Sequence, residues 1–364
     1  CKIKFNFWSW NSWSKVEMNS ILKTSSLVFL TIFLLTLTIN KTSIINIENF
    51  YYPIYTEWFS ILSFAFIYSS IAIGDIIYFV FPLFVIIYFF RIERRRDRLY
   101  FIIKIPIIIY CFFYWSWGFN YNLKSEFESL KTNDYSKEEL YSTTEYYIKK
   151  TNDLQIALSK TSQEKVESKL SFYQVKNECI KSIKKSNWMF ENKQINSFPV
   201  KKSLFSTPLS YMGFSGYINP FTLEANINYN IPDISIPVTI SHEIAHQIGY
   251  AFEDEANYIA IETLSKSENN YLRYSGNLMA VQYLLAEIRK IDPELHKLYI
   301  KDLNVGVIKN IQQKNEYYLK YQNKYESFFK KNYDIFLKIN NQKAGIKTYS
   351  LVVDLLINNY QSKI

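Results

Sequence analysis

The feature that most limits how this chain can fold is a pair of apolar runs, residues 76–90 and 99–118. They are separated by Arg91-Ile92-Glu93-Arg94-Arg95-Arg96-Asp97-Arg98. A bilayer core is crossed by about twenty mostly apolar residues in one helix. A third run, residues 20–39, comes earlier, with 27–39 its apolar heart and Lys15 and Lys23 flanking its start. The spacing predicts about three transmembrane helices. A cleaved signal peptide is the other reading of the first run, but no small-residue cleavage site follows Ile39 and more apolar runs do. Five arginines in eight residues make a short loop that the positive-inside rule keeps on the cytoplasmic side. Trp115 and Trp117 then mark the far interface. This topology puts the chain after residue 119 outside the cytoplasm, in a multi-pass protein of the cytoplasmic (inner) membrane. Residues 48–70, with Pro53, Glu57 and Trp58, suit an interfacial or short re-entrant piece, and Gly74-Asp75 interrupts the apolar run before the second span.

From Tyr121 onward the composition turns polar and charged. Residues 1–118 therefore read as a membrane region and 119–364 as a separate domain. Segments 136–160 and 164–190 lack Gly and Pro and repeat apolar residues at three and four spacing, which predicts helices. Pro, Gly and Ser mark 197–237. Within it Leu223–Tyr229 alternates enough for a strand, either an ordinary edge or one bordering a cleft. Helices are expected at 235–248, 252–265, 270–290 and 293–302. A long one is expected over 306–341, broken by Ala344-Gly345. The apolar stretch 351–357 is too short to span and should pack on the domain.

The net charge of +9 invites a nucleic-acid reading. The lysines are dispersed, however, and the densest basic cluster flanks an apolar run, so no nucleic-acid partner is expected. Cys1, Cys111 and Cys179 show no metal spacing and imply no disulfide framework.

Only three histidines occur in 364 residues, and two stand four apart in Ser241-His242-Glu243-Ile244-Ala245-His246. Four residues turn a helix by about 400°, so both imidazoles share one face a turn apart. That arrangement suits two ligands of one Zn2+ ion, with Glu243 placed as general base toward a water there. A catalytic zinc keeps three protein ligands and an open position. The third ligand is expected to be a nearby acid. On an uninterrupted helix Glu253 would lie about 10 Å beyond His246, so the chain must turn between them. Gly249 can supply that turn, because glycine enters the left-handed region without steric cost. Glu253 and Glu255 point about 200° apart on the helix that follows. Glu253 shares its face with Ala256, which lets helices approach, and Asn257, whose amide can fix a ligand. Glu253 is therefore preferred over Glu255.

Glu253-x-x-Ala256-Asn257 after HExxH resembles the third-ligand motif of gluzincin metallopeptidases, in which the first Glu binds zinc. The wider pattern, HExxHQxG followed by ExEAN, resembles the bacterial membrane-protein family called domain of unknown function 3810. Ile73-Gly74-Asp75-Ile76-Ile77-Tyr78, Tyr274-Ser275-Gly276 and Tyr349-Ser350-Leu351-Val352-Val353-Asp354-Leu355-Leu356 fit that family too. The resemblance implies a membrane-anchored zincin and no particular substrate. The expected fold is mainly α, an α+β zincin-like domain with a small sheet preceded by the membrane helices. The expected function is zinc-dependent hydrolysis of peptide bonds in a peptide or protein substrate of the cell envelope. Its metal ligands are His242, His246 and Glu253, its base is Glu243, and its surroundings include the lipid bilayer. Candidates for stabilising the oxyanion are Tyr274, Arg273, Tyr211 and His296. Two alternatives stay open: a non-enzymatic scaffold with a structural zinc site, and an amidase acting on cell-wall peptides.

Overall fold

The computed structural model describes residues 28–39, 47–131, 134–186, 188, 195, 197–340, 342, 345 and 351–363. The expectations placed on Cys1, residues 20–27, Ala344, Tyr349 and Ser350 lie outside them. The chain is mainly helical, with one small sheet.

Among the described residues, two helices rather than three are long and apolar enough to cross a bilayer: α3 (Ile73–Arg91) and α4 (Arg95–Ser116). The described part of the first run, α1 (Val28–Ile39), falls short of the length a crossing needs. Phe79, Phe84 and Phe90 on α3 and Leu99 and Ile103 on α4 are all exposed, so nothing among the described residues covers these apolar faces. Arg98 donates Nε–H to the Ile92 carbonyl at 2.7 Å and tightens the turn between them.

Within 48–70 the chain is helical. It builds α2 (Ile47–Phe66), a 20-residue helix. Tyr51, Tyr55, Phe59 and Leu62 recur at four and three spacing and are buried, whereas Phe50, Ile54, Ile61 and Phe64 are exposed on other faces. Gly74-Asp75, expected just before the second span, lies inside the start of α3. Both residues sit in the first turn of α3 and are buried against the polar domain. Asp75 accepts from Ser203 Oγ (2.9 Å), the Leu204 amide (2.6 Å) and the Tyr217 hydroxyl. The amides of Ile73 and Gly74, free because they open a helix, donate to the Glu224 carboxylate at 3.3 and 2.7 Å. The apolar helix is thus docked through its polar N-terminus.

The remaining elements begin with α5 (Glu128–Lys131), α6 (Lys137–Ser159) and α7 (Phe172–Lys185). Reciprocal capping boxes, Ser136 with Glu139 and Ser171 with Gln174, start α6 and α7. The second box explains why the helix expected from 164 starts at Phe172. After β1 (Val200–Lys202) come α8 (Ser206–Met212), β2 (Gly216–Ile218) and β3 (Ala225–Ile227). The sheet order is β1-β3-β2, with β1 parallel and β2 antiparallel to β3.

Helices α9 (Ile236–Ile248), α10 (Glu253–Ser265) and α11 (Asn270–Ile291) pack on one another, and α6 covers α11. α10 is buried from Glu253 to Leu264 and forms the domain's central rod. In the Tyr274-Ser275-Gly276 stretch, Ser275 Oγ donates to the Ile234 carbonyl at 2.6 Å and Tyr274 donates to Asn310 at 2.9 Å, so both serve packing.

After α12 (Pro293–Asp302), the single helix expected over 306–341 is two, α13 (Val305–Tyr321) and α14 (Glu326–Ile339). Asn323 makes the break. Its Oδ1 accepts from the Tyr325 amide at 2.9 Å and its Nδ2 donates to the Tyr211 carbonyl at 2.7 Å, offering the backbone a turn in place of helix. The last helix, α15 (Val352–Gln361), buries Val352, Val353, Leu355, Leu356 and Ile357.

Candidate metal centre

α9 carries His242, Glu243 and His246 and ends at Gly249, whose φ is +115°. A side chain there would be strained by that φ, and its Cβ would stand 3.0 Å from Tyr52. The Tyr250 amide returns to the Ala245 carbonyl at 3.1 Å, closing the helix end. The chain reverses and α10 opens at Glu253, which brings that carboxylate back to the histidines. Gln247 anchors the motif helix to the sheet region, donating Nε2–H to the carbonyls of Pro199 (3.1 Å) and Leu223 (2.8 Å).

Three donor atoms converge. His242 Nε2 lies 3.0 Å from His246 Nε2 and 3.3 Å from Glu253 Oε2, and His246 Nε2 lies 3.7 Å from Glu253 Oε1. Ligands about 2.0–2.1 Å from a tetrahedral zinc are separated by about 3.3 Å, and the three observed separations bracket that value. His246 Nδ1 is 2.7 Å from the Tyr250 carbonyl, an acceptor, so Nδ1 carries the proton and Nε2 presents its lone pair. Burial, then the charge of His242, lowers the His246 pKa to about 4, keeping it neutral. Burial works to raise Glu253, but hydrogen bonding to His242 and the nearby imidazoles hold it down at about 2. Burial works to lower His242, and the hydrogen bond and charge of Glu253 outweigh it and raise the pKa. Neutral imidazole and ionised carboxylate are the forms that bind metal, so His246 and Glu253 already hold them and His242 would release a proton when an ion binds. The donor set fits a zinc ion.

Glu255 turns away. Lys131 Nζ lies 2.7 Å from its carboxylate and 2.8 Å from Asp254, on the far side of α10. Asn257, one turn after Glu253, borders the same cavity as the histidines.

Glu243 is buried beside the triad, and its Oε2 has no hydrogen-bond partner among the described residues. Burial raises its pKa to about 8, with Glu253 adding to the rise and His242 opposing it. Its Oε1 packs against Gly216 of β2, where a Cβ would stand 2.8 Å away, so a larger residue there would push the carboxylate aside. All of these groups face a cavity of about 760 Å3.

The strand beside the cavity is β2, not the Leu223–Tyr229 segment that the alternation suggested. β3 within that segment is paired on both sides and offers no free edge. Among the described residues β2 is paired only to β3. The Asn228 amide bonds to Ser215 and the Asn219 amide to Glu224, so the backbone groups of Gly216 and Ile218 alternate toward the open side.

None of the four oxyanion candidates borders the cavity. Tyr274 is buried on Asn310, Arg273 bonds to Asn270, Tyr211 packs on Tyr321, and His296 sits on α12. Instead Tyr333 of α14 donates its hydroxyl to Glu253 Oε1 at 2.5 Å, and Tyr283, Tyr318 and Tyr121 also border the cavity. With 31 tyrosines in the chain, no local signal distinguishes Tyr333. Cys111 and Cys179 are buried and unpaired, and burial pushes the Cys179 thiol up to about 12.

Comparison with curated proteins and with solved structures returned no match. A family model described as protein of unknown function (DUF3810) matches residues 49–357. That span runs from α2 through the His242–Glu253 cluster to α15, so the chain belongs to the DUF3810 family.

Proposed function

We propose that this protein is a membrane-anchored, zinc-dependent metallopeptidase whose active site is the His242–His246–Glu253 cluster. One observation carries the reading. Three donor atoms stand at tetrahedral spacing beside a buried carboxylate, Glu243, that has a free oxygen and faces an open cavity. A structural zinc site is closed by four ligands and has no need of such a base. A buried carboxylate oxygen without a partner costs stability, which is the expense of a working group.

His242 Nε2, His246 Nε2 and Glu253 would hold the ion, with Tyr333 and the Tyr250 carbonyl orienting Glu253 and His246. Zinc bound there supplies a Lewis acid for the scissile carbonyl and acidifies water. Glu243 takes the proton from the attacking water and returns it to the leaving amine, a task helped by a pKa lifted toward neutral. The open groups of Gly216 and Ile218 align an extended substrate as an added strand against β2.

α3 and α4 anchor the protein in the cytoplasmic membrane. The Arg91–Arg98 loop marks the cytoplasmic side, and the domain lies on the other. The substrate is a peptide or protein of the cell envelope. Elemental analysis of the full chain, purified in detergent without chelators, tests the reading and should find about one zinc per chain. A metal-free protein would remove its basis.

A further inference from the structure

The cavity's surroundings extend past the cluster to the outer ends of α3 and α4. Tyr78 of α3 borders it, as do Phe113 of α4 and Trp117 just beyond. Tyr78 is five residues into its helix and Phe113 three from the end, so the cavity reaches about 5–8 Å along the spans from their domain side. The opposite wall is α14, through Tyr333 and Phe336. α14 is fixed to both neighbours. Phe336 packs on Phe113 with ring centres 6.0 Å apart, and Tyr114 donates to Asn340 at 2.7 Å. Its N-terminal side meets α8, which follows the Leu204 amide bound by Asp75 of α3.

α14 has one buried face, around Leu337, and one apolar face that nothing among the described residues covers. Phe328, Ile335 and Ile339 are 62%, 45% and 66% exposed. Seven and four residues apart, they form one stripe. Tyr325, 59% exposed, extends it. Lys324, Lys331 and Lys338 run along its flank at the same seven-residue repeat. Apolar residues on one face with lysines beside them is the pattern of a helix lying in a membrane interface, its lysine stems reaching toward anionic headgroups.

We infer that the Phe328–Ile335–Ile339 stripe of α14 lies in the domain-side leaflet of the bilayer. The occupant is lipid because the stripe is continuous, through Phe336 and Phe113, with the uncovered apolar surface of α4, and because its flank is basic. The inference rests on the membrane reading of α3 and α4 above. It places the cavity mouth between α4 and α14 at the bilayer surface, where it accepts membrane-attached polypeptide ahead of freely dissolved chains.

The test uses the full chain in liposomes of mixed zwitterionic and anionic phospholipid, with Cys1, Cys111 and Cys179 replaced by alanine. Single spin labels go at Phe328→Cys, Ile335→Cys and Ile339→Cys. A label at Phe84→Cys on α3 (Phe84 is 62% exposed) reports the membrane reading alone, and one at Glu294→Cys on α12 reports water. The three α14 labels should collide severalfold more with dissolved oxygen than with a water-soluble nickel chelate, as at Phe84→Cys and opposite to Glu294→Cys. Labels on α14 that behave like Glu294→Cys overturn the inference and leave the membrane reading standing. Labels shielded from both reagents overturn it in favour of a protein cover, and spin–spin broadening among them identifies a second copy. A Phe84→Cys label open to nickel defeats the membrane reading, and this inference with it.

Discussion

Trp117 donates its indole N–H to the carbonyl oxygen of His246 across 3.1 Å. The last carbonyls of a helix have no partner within it. At the end of α9 three successive carbonyls are supplied from elsewhere: Trp117 to His246, Tyr55 to Gln247 at 2.8 Å and Tyr52 to Ile248 at 3.0 Å. α2 and the residue closing α4 therefore hold the histidine helix at its C-terminal end. The Trp117 ring also stands edge-on to the His246 imidazole, with centres 5.9 Å apart.

Trp117→Phe keeps much of that packing and removes the donor. The Gly249 amide also donates to this carbonyl at 3.1 Å, so the variant loses one of its hydrogen bonds without leaving it bare, and unfolding in detergent should shift to lower temperature or denaturant by about 0.5–1.5 kcal/mol. Zinc content should stay unchanged, since no ligand is touched. Wild-type stability in the variant would show that the Gly249 amide satisfies this carbonyl without the indole.

Glu253→Ala should abolish tight zinc binding, whereas Glu255→Ala should keep the metal and lose stability. Glu255 is tied to Lys131 on the other side of α10, and its removal leaves that lysine with Asp254 alone. Asn257→Ala should show a smaller loss, about 10-fold in affinity or activity, as for a group that supports a ligand. Competition titration with a zinc chelator gives all three values. The opposite order for the two glutamates would remove Glu253 from the site.

Glu243→Gln should retain zinc and fold while slowing peptide hydrolysis by about 100-fold or more, the size of a general-base effect. The amide keeps the shape against Gly216 and cannot accept the proton. Equal rates in wild type and variant, at equal zinc content, would favour the scaffold reading.

Asp354→Asn should stabilise the protein above pH 6 and do little near pH 4. Burial, followed by the charges of Glu287, Asp254 and Asp134, raises the Asp354 pKa from 3.8 to about 6. The folded chain thus holds this proton more tightly than the unfolded chain. Its contribution to stability is complete below about pH 4 and is lost as pH rises through about 6. Asparagine removes the repulsion among these acids. Melting curves across pH 4–8 should diverge with rising pH, and parallel curves would show that Asp354 is solvated.

Local spacing already carried much of the site. The helical repeat alone puts His242 and His246 on one face, and the lone glycine after them turns the chain so that Glu253 rather than Glu255 faces back. Those relations span one or two turns, where backbone geometry leaves few choices. The lengths of 76–90 and 99–118 likewise announced α3 and α4.

Other features depended on partners far along the chain. The aromatic pattern of residues 48–70 suits several surfaces, and that one face of their helix packs on the end of α9 through Tyr52 and Tyr55 follows only from the tertiary structure. β2 and β3 are both three residues long, and which one keeps an open edge follows from β1 pairing with β3. Tyr333 reaches Glu253 from 80 residues away, past a break set by Asn323. Pairings at that range are settled by packing of the whole chain, so one tyrosine among 31 gives no advance sign of them.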